Sequence, residues 1–342
     1  MRIAIDAMGG DFAPREIVLG ALSAARADSD THILLVGDSD AIRALLPAPA
    51  PSNIEIIPTT QVVSMDESPA HALRNKKESS LAVATRLHAE GRADAVLSAG
   101  NTGAASAFAL FTIGRIEGID RPGIATVFPT AKTPCVTLDV GANVDCKPHH
   151  LADFAILGAA YVPAIRGIIP GENAPKPGDK ITVGVLSIGE EDAKGNELVK
   201  AAREGIAKNA ARGGYEFVGN VEGRDIPRGT VDVVVCDGFV GNVVLKLAEG
   251  FATLFLGGVR DAMRSSLRSK IGGKLAEPAL RGMVTKYDHT HFGGAALLGI
   301  KGNCIICHGS AKERAIASAI RVAKLVVAAQ VPQAIERALA RE

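Results

Sequence analysis

The feature that most constrains the fold is a regular alternation of short apolar runs with longer segments of helical periodicity. Most of the short runs are predominantly apolar without alternation, as strands buried on both faces of a parallel sheet are. We predict strands at residues 2–7, 32–36, 54–57, 95–98, 135–140, 181–186, 231–236 and 304–306. We predict helices at residues 79–89, 149–161, 196–209 and 312–329. This order is typical of βαβ units, so the sequence predicts an α/β protein with a mainly parallel sheet.

The length and composition favour one large domain. The chain has 342 residues, no Trp and an aromatic share of 4%, so its core is aliphatic. The linker-like stretches, at residues 47–52 and 170–179, are too short to prove separate domains. We therefore expect residues 1–342 to form a single α/β catalytic domain.

Charge and cysteine content indicate where the protein works. The formal net charge is +1, so no global field attracts nucleic acid, and we expect no nucleic-acid partner. Asp6 interrupts the N-terminal apolar run, and no stretch reaches the roughly 18 uncharged apolar residues that a membrane span needs. The count of five cysteines is odd, which favours free thiols in a reducing compartment. We expect a cytoplasmic protein.

One long segment breaks the alternation and predicts a helical arm. Residues 243–283 show helical periodicity with an apolar stripe, and residues 260–286 carry seven basic and two acidic side chains, a net charge of +5. Arg260, Arg264 and Arg268 recur every four residues, so we expect them on one helix face. The arm suits a dimer contact, an anionic membrane contact or both, and a merely solvated face is the alternative.

Glycine and small polar residues follow four of the predicted strands. In open parallel sheets ligands bind beyond the carboxyl ends of the strands, and glycine lets backbone N–H groups approach an anion. Each loop alone is better explained as an ordinary turn or helix cap, but four such loops at strand ends predict one composite phosphate or substrate site. The residues concerned are Asp6, Gly9, Gly10, Ser98, Gly100, Asn101, Thr102, Gly103, Asp139, Asn143, Asp237, Gly241 and Asn242, and Asn196 is predicted to bind at the same site. No P-loop occurs, and no predicted strand is followed by GxGxxG, which weakens the case for a dinucleotide.

Two segments offer cations for such a site. Lys194 stands between two glycine turns and just before Asn196, and a lysine in that setting holds phosphate as a point charge. Arg74, Lys76 and Lys77 precede another predicted helix, where a solvated helix start is the competing interpretation.

The run Cys304-Ile305-Ile306-Cys307-His308 matches the attachment pattern of c-type haem and half of a zinc site. We reject both, because such haem attachment belongs to exported proteins and no second Cys pair completes a zinc site. Cys304 and Ile306 are expected in a buried strand, with His308 at its end, where the other loops meet. A core or capping histidine is the alternative.

Taken in order, these motifs resemble the phosphate acyltransferase family of bacterial phospholipid synthesis. The matching stretches are 6–14 (DAMGGDFAP), 74–80 (RNKKESS), 98–104 (SAGNTGA), 138–143 (LDVGAN), 189–196 (GEEDAKGN), 219–225 (GNVEGRD), 237–242 (DGFVGN), 293–299 (GGAALLG) and 308–310 (HGS). The resemblance implies a three-layer α/β/α fold like that of phosphotransacetylases and isocitrate dehydrogenases. It also implies a homodimer, peripheral contact with the inner face of the membrane, and neither metal nor organic cofactor.

The resemblance also implies a reaction in which inorganic phosphate attacks the thioester of acyl-acyl-carrier-protein. The products are acyl phosphate and the carrier thiol. In that reaction Asn101, Thr102 and Asn242 would orient phosphate, Lys194 would balance its charge, and His308 would protonate the leaving sulfur or stabilise the oxyanion.

Two other classes of function stay open at this point. An NAD(P)-linked dehydrogenase on the related fold would need an acid or metal cluster that the sequence does not assemble. A non-enzymatic scaffold docked on a membrane through the arm is the second. The sequence also leaves open whether an acyl groove lies within one subunit or between two.

Overall fold

The computed structural model describes residues 1–166, 180–287 and 293–341, so the predicted linker at 170–179 lies largely outside the described residues. The strands are β1 (Arg2–Asp6), β2 (His32–Gly37), β3 (Ile54–Pro58), β4 (Ala95–Ser98), β5 (Gly123–Phe128), β6 (Cys135–Leu138), β7 (Ile181–Leu186), β8 (Tyr215–Val221), β9 (Val233–Val235), β10 (Ala295–Leu298) and β11 (Cys304–Ile306). The helices are α1 (Arg15–Ala27), α2 (Ser39–Arg43), α3 (Pro69–Asn75), α4 (Ser80–Ala89), α5 (Thr102–Phe108), α6 (Pro148–Ile165), α7 (Glu197–Gly213), α8 (Asp225–Arg228), α9 (Gly238–Arg264), α10 (Leu267–Tyr287), α11 (Glu313–Ala328) and α12 (Val331–Leu339). A π-helical turn, Ala109–Ile113, continues α5.

The strands form one 11-stranded sheet in the order β3-β2-β1-β4-β11-β10-β5-β6-β9-β7-β8. The first five strands in this order are mutually parallel, and so are the last four. Between them, β10 and β5 make three antiparallel pairings in succession. Because the number of reversals is odd, the two parallel halves run in opposite directions. The paired residues Leu97, Ile305, Ala296, Ala125 and Leu138 form one row across the sheet, so the carboxyl ends of the two halves lie at nearly the same level and their loops leave the sheet in opposite directions.

Helices cover both faces of the sheet, which confirms the predicted three-layer α/β/α fold. Ile3 and Ile5 of β1 belong to one core cluster, which also contains Phe154 of α6. Ala4, between them, belongs to a second cluster, with Phe108 of α5. Successive residues of a strand point to opposite faces, so a strand that is apolar at every position is buried on both sides.

All eight predicted strands and all four predicted helices are present, with ends shifted by a few residues. Three strands were not predicted: β5, β8 and β10. β8 alternates exposed and buried residues at one edge of the sheet, so it lacks the buried apolar pattern that identified the others. β10 is apolar throughout, but its Ala and Leu residues are strong helix formers and do not indicate a strand. The omission of β5 and β10 matters, because their antiparallel pairings reverse the strand direction between the two halves of the sheet.

The predicted arm consists of two helices, α9 and α10, rather than one. The chain breaks at Ser265 and Ser266, and Met263 of α9 packs against Gly273 of α10. The prediction that Arg260, Arg264 and Arg268 share one helix face is therefore wrong, because Arg268 belongs to α10. All three lie near the turn between the helices.

The surface of α9 is apolar and exposed. Leu247, Phe251 and Leu254 are 71%, 65% and 72% exposed. By length and composition α9 is able to cross a membrane, with only 6% of its most apolar window buried. We expected no membrane-spanning segment because Lys246 and Glu249 interrupt the uncharged apolar run in the sequence. In the structure these two side chains form an ion pair at 2.9 Å, so their charges offset each other.

Candidate active site

The loops after β1, β4 and β11 meet at one edge of the sheet and form what we call the first strand-end cluster. It contains Asp6, Gly9, Gly10, Ser98, Gly100, Asn101, Thr102, Gly103 and His308. The backbone N–H of Asp11 donates to the carbonyl of Gly309 at 2.8 Å. Gly10 has a φ of +114°, and a Cβ there would press on the carbonyl oxygens of Ala99 and Gly309. The glycine is therefore required by the close approach of three loops.

Asp6 and Ser98 form the internal frame of this cluster. Ser98 Oγ donates to Asp6 Oδ2 at 2.8 Å and accepts from the N–H of Gly100 at 3.0 Å, while the N–H of Met8 donates to Asp6 Oδ1 at 3.3 Å. Asp6 is 2% exposed, and burial raises the pKa of its carboxyl group, partly offset by these hydrogen bonds. A buried acceptor would repel a phosphate, so the geometry gives Asp6 a structural role instead of the predicted substrate contact.

Asn101 is also committed to the fold. Its Oδ1 caps α5 by accepting from the N–H of Ala104 at 3.0 Å, and its Nδ2 donates to the carbonyls of Met65 and Glu67 at 2.9 and 2.8 Å. The segment around Met65 was not predicted to belong to the site. Thr102 and Gly103, by contrast, are exposed in the first turn of α5, where their N–H groups face solvent.

His308 is exposed, and one ring nitrogen is already used. Its Nδ1 accepts from the backbone N–H of Ser310 at 3.1 Å and lies 2.8 Å from Ser310 Oγ. The proton of the neutral ring is therefore on Nε2, which makes Nε2 a hydrogen-bond donor. That is the form required to donate to an oxyanion or a leaving sulfur.

A second strand-end cluster lies in the other half of the sheet, where β6 and β9 end. At its centre the carboxylate of Asp139, which is 0% exposed, accepts from four backbone N–H groups, those of Ile124, Gly141, Ala142 and Asn143, at 2.7–3.1 Å. Burial raises the pKa of Asp139, and these bonds oppose that shift. The carboxylate occupies the N–H groups that a phosphate would use, so Asp139 organises the loop rather than binding substrate.

The other members of the second cluster bring the start of α9 against this loop. Asp237 caps α9, accepting from the N–H of Val240 at 2.9 Å, and the N–H of Gly238 donates to the carbonyl of Asn143 at 2.8 Å. Gly241 lies so close to the carbonyl oxygen of Asp139 that no larger residue fits. Asn242 is exposed and lies beside Gly141, so its amide is free to meet a ligand at the positive end of the helix.

Lys194 lies in the loop after β7, at the same edge as the second cluster, since β7 pairs parallel with β9. Its side chain is exposed. Asn220 of β8 holds this loop, because its Nδ2 donates to the carbonyl of Glu191 at 2.7 Å. Asn196 caps α7 by accepting from the N–H of Val199 at 2.9 Å, which is the alternative role foreseen for such residues.

Of the four glycine loops predicted to form one composite site, those after β1 and β4 belong to the first cluster, together with the loop of His308. Those after β6 and β9 belong to the second cluster, on the side of Lys194. The two clusters are separated across the sheet by β11, β10 and β5, and the antiparallel pairing of β10 and β5 makes their loops leave the sheet in opposite directions. The second cluster combines a flexible cation, an exposed carboxamide and a long helix N-terminus, the groups needed to hold an anion.

A third group, unnoticed in the sequence, consists of Asp120, His149 and His150. The Nε2 atoms of the two histidines lie 3.1 and 2.8 Å from Asp120 Oδ2, a spacing compatible with a metal site. However, His150 Nδ1 accepts from the N–H of Lys147 at 3.0 Å, so the proton of the neutral ring is on Nε2. A metal at that nitrogen would have to displace the proton and break the bond to Lys147, so this geometry fits a hydrogen-bonded group better than a metal centre.

Similarity to known proteins identifies the family. Residues 1–334 match the family described as "Fatty acid synthesis protein". A phosphate acyltransferase of Heliobacterium modesticaldum is 51% identical over 327 residues, which cover 95% of this chain and 93% of the relative. The chain belongs to the phosphate acyltransferase family. A member from Nostoc punctiforme is 47% identical, with 98% of this chain and 96% of the relative covered. The family resemblance read from the ordered motifs is thus confirmed.

Solved structures confirm the fold. EutD phosphotransacetylase from Staphylococcus aureus superimposes with a TM-score of 0.58 at 16% identity, covering 95% of this chain and 94% of that one. A 4-hydroxythreonine-4-phosphate dehydrogenase from Klebsiella pneumoniae gives a TM-score of 0.53 at 14% identity, covering 95% and 98%. At these identities the similarity concerns the fold alone.

Proposed function

We propose that this acyltransferase moves a fatty acyl group from acyl-acyl-carrier-protein to inorganic phosphate, giving acyl phosphate for phospholipid synthesis. The observation that carries the proposal is the near full-length similarity to proteins named phosphate acyltransferase. The site geometry agrees with it, since the exposed polar groups of the second cluster suit a small anion.

Phosphate is the nucleophile in this reaction, and the protein orients it. One phosphate oxygen attacks the thioester carbonyl carbon, the C–S bond breaks, and the thiolate takes a proton. Lys194 supplies a positive charge to the phosphate, and the side-chain amide of Asn242 supplies N–H donors near the positive end of α9. We place the phosphate at the second cluster for this reason. His308, which belongs to the first cluster, is not assigned to the same phosphate.

The test is a turnover assay with acyl-acyl-carrier-protein and inorganic phosphate. Accumulation of acyl phosphate, together with one free carrier thiol per acyl group, supports the proposal. A protein that binds neither substrate and forms no acyl phosphate would contradict it. His308→Ala provides a comparison within the assay: a rise in the KM for phosphate in this variant would move the phosphate to the first cluster.

We further propose that the protein is a homodimer on the cytoplasmic side of the membrane, in reversible contact with its inner face. The exposed apolar stripe of α9 and the basic turn between α9 and α10 support this arrangement. A membrane-spanning role for α9 is disfavoured, because Gly238 and Gly241 at its start are buried against the strand-end loop. Insertion of the whole helix would draw that polar loop into lipid.

A further inference from the structure

Three large apolar side chains surround the second strand-end cluster and are exposed. Val144, Ile188 and Phe239 are 62%, 82% and 61% exposed. Each follows directly on a residue at the carboxyl end of a strand or its loop: Val144 follows Asn143, Ile188 follows Ser187, and Phe239 follows Gly238. We call these three residues the apolar collar.

The members of the apolar collar lie just beyond the carboxyl ends of three adjacent strands, β6, β9 and β7. Val144 and Phe239 each neighbour the hydrogen bond between Asn143 and Gly238, which is 2.8 Å long. Neighbouring strands lie about 4.8 Å apart, so the three loops begin within about 10 Å of one another. The collar is therefore a local feature of the second cluster and not three scattered surface residues.

Apolar exposure on these loops is unusual because the same loops carry polar residues suited to an anion. Ile188 shares its loop with Lys194, and Phe239 precedes Asn242 by three residues in the first turn of α9. The combination matches a ligand that has a long hydrocarbon chain next to an anionic or carbonyl head group. Singly exposed apolar residues are common on proteins and need no such ligand. A cluster of exposed apolar residues next to polar groups is, by contrast, typical of an interaction or ligand-binding site.

We propose that the apolar collar holds the acyl chain of the thioester substrate, with its carbonyl facing the phosphate at Lys194 and Asn242. This inference rests on the proposed function. It places the acyl site within one subunit, where the sequence left open a groove within or between subunits.

The start of α9 extends the collar into a path. Phe239 and Val243 are four residues apart and therefore lie on one side of the helix, and Val243 is 51% exposed. The rise from Phe239 to Val243 is about 6 Å, and the path ends where the apolar stripe proposed for the dimer and membrane contact begins, at Leu247. A long acyl chain has room to follow this path, whereas a short one reaches only the collar.

The test compares long and short acyl chains in Ile188→Asn, a variant outside the polar groups of the site. The ratio of kcat/KM for a sixteen-carbon thioester to that for a four-carbon thioester is measured in wild type and variant, with both groups on the same carrier protein. Each methylene that loses an apolar contact weakens binding by about fourfold, so we expect the ratio to fall by roughly tenfold or more. Val218→Asn is the matched control: Val218 is 42% exposed on β8, away from the loops, and its ratio should equal that of wild type.

The possible outcomes separate the two proposals. No acyl phosphate from either thioester in wild type is a failure of the proposed function, and equilibrium binding of the two thioesters then tests the collar without turnover. Turnover or binding with an unchanged ratio in Ile188→Asn overturns the collar. If Ile188→Asn changes the oligomeric state but leaves the ratio of the two kcat/KM values unchanged, a second copy of the chain covers these residues. That result likewise overturns the inference.

Discussion

His150 Nε2 lies 2.8 Å from Oδ2 of Asp120, and this bond joins the start of α6 to the loop that precedes β5. The same loop reaches the second strand-end cluster, because Asn143 Nδ2 donates to the carbonyl of Pro122 at 2.7 Å. Arg115 adds a third cationic or hydrogen-bonding partner, with Nη1 at 3.3 Å from Asp120 Oδ1. A change at His150 is therefore transmitted through two hydrogen bonds to the residues around Asp139.

This relationship predicts a dependence of stability on pH. Burial lowers the pKa of His150, and the bond to Asp120 only partly opposes that shift, so the neutral ring is favoured in the folded state. The contribution of the neutral His150 ring to the free energy of unfolding is complete above the ordinary histidine pKa of about 6.5. It is lost as the pH falls through the lower pKa that His150 has in the folded state. We expect the free energy of unfolding to fall between pH 7 and pH 5, and to fall less steeply in His150→Gln. Urea denaturation at several pH values measures this, with the exposed His32→Gln as control. Parallel pH profiles for wild type and His150→Gln would contradict the prediction.

We expect the ionisation of Asp153 to change stability with pH in the opposite direction. Its side chain is 9% exposed, and burial raises the pKa of the carboxyl group to about 6. The neutral form is favoured in the folded state, so this contribution is present at low pH and is lost as the pH rises through about 6. Asp153→Asn, which is neutral at every pH, should unfold with a free energy roughly 1–3 kcal/mol higher than wild type at pH 7. The difference should shrink towards zero at about pH 4, and a variant less stable than wild type at pH 7 would rule this account out.

Lys194→Ala should raise the KM for phosphate while the fold stays intact, because Lys194 is the exposed cation of the second cluster. Loss of a charge-assisted contact costs roughly 1.5–3 kcal/mol, a ten- to hundredfold effect. Steady-state kinetics with varied phosphate measures it, and Lys200→Ala, an exposed lysine on α7, is the matched control. Wild-type kinetics in Lys194→Ala would remove this lysine from the site.

The cysteines should be dispensable for chemistry, because phosphate attacks the thioester directly. All five are free thiols, and burial raises the pKa of Cys307 to about 12, so it is not a thiolate at neutral pH. We expect Cys307→Ser to retain most of its activity per folded molecule, with a stability cost of about 1–3 kcal/mol from the buried hydroxyl. Loss of turnover in a variant that is folded by circular dichroism would argue for a covalent role, and stoichiometric metal in the purified protein would argue for a metal site.

The basic turn of the arm should bind anionic lipid. Arg264, at the end of α9, and Arg268 and Lys270, at the start of α10, lie on either side of the break and are exposed. Each basic residue near an anionic surface contributes about 1 kcal/mol, so binding should be salt-sensitive and absent with neutral vesicles. Changing all three to Glu should abolish co-sedimentation with anionic vesicles and leave turnover on soluble substrates unchanged.

The control for this experiment makes the same change of charge elsewhere, at Arg43, Lys200 and Lys208, which are exposed far from the arm in sequence. Vesicle binding that persists in the arm variant would show that the apolar stripe of α9, rather than charge, holds the protein on lipid. Equal loss in both variants would point to net charge alone.

Local pattern determined most of the secondary structure and the fold class. Runs such as β9 and β11 are apolar at every position because both faces of the sheet are covered, and that pattern is visible without a structure. The glycines of the strand-end loops were also recognisable, since close approach of backbones leaves room for no other residue at positions such as Gly241. The ordered motifs sufficed to identify the family.

The arrangement of the site was decided only by tertiary structure. Whether Lys194 and His308 belong to one cluster depends on the antiparallel strands β5 and β10, whose direction a sequence pattern does not reveal. Whether Asp6, Asn101 and Asp139 meet a ligand or the backbone depends on hydrogen bonds between segments distant in the chain. The sequence therefore supplied the candidate site residues, whereas long-range strand pairing and hydrogen bonding decided which of them lie together and which are committed to the fold.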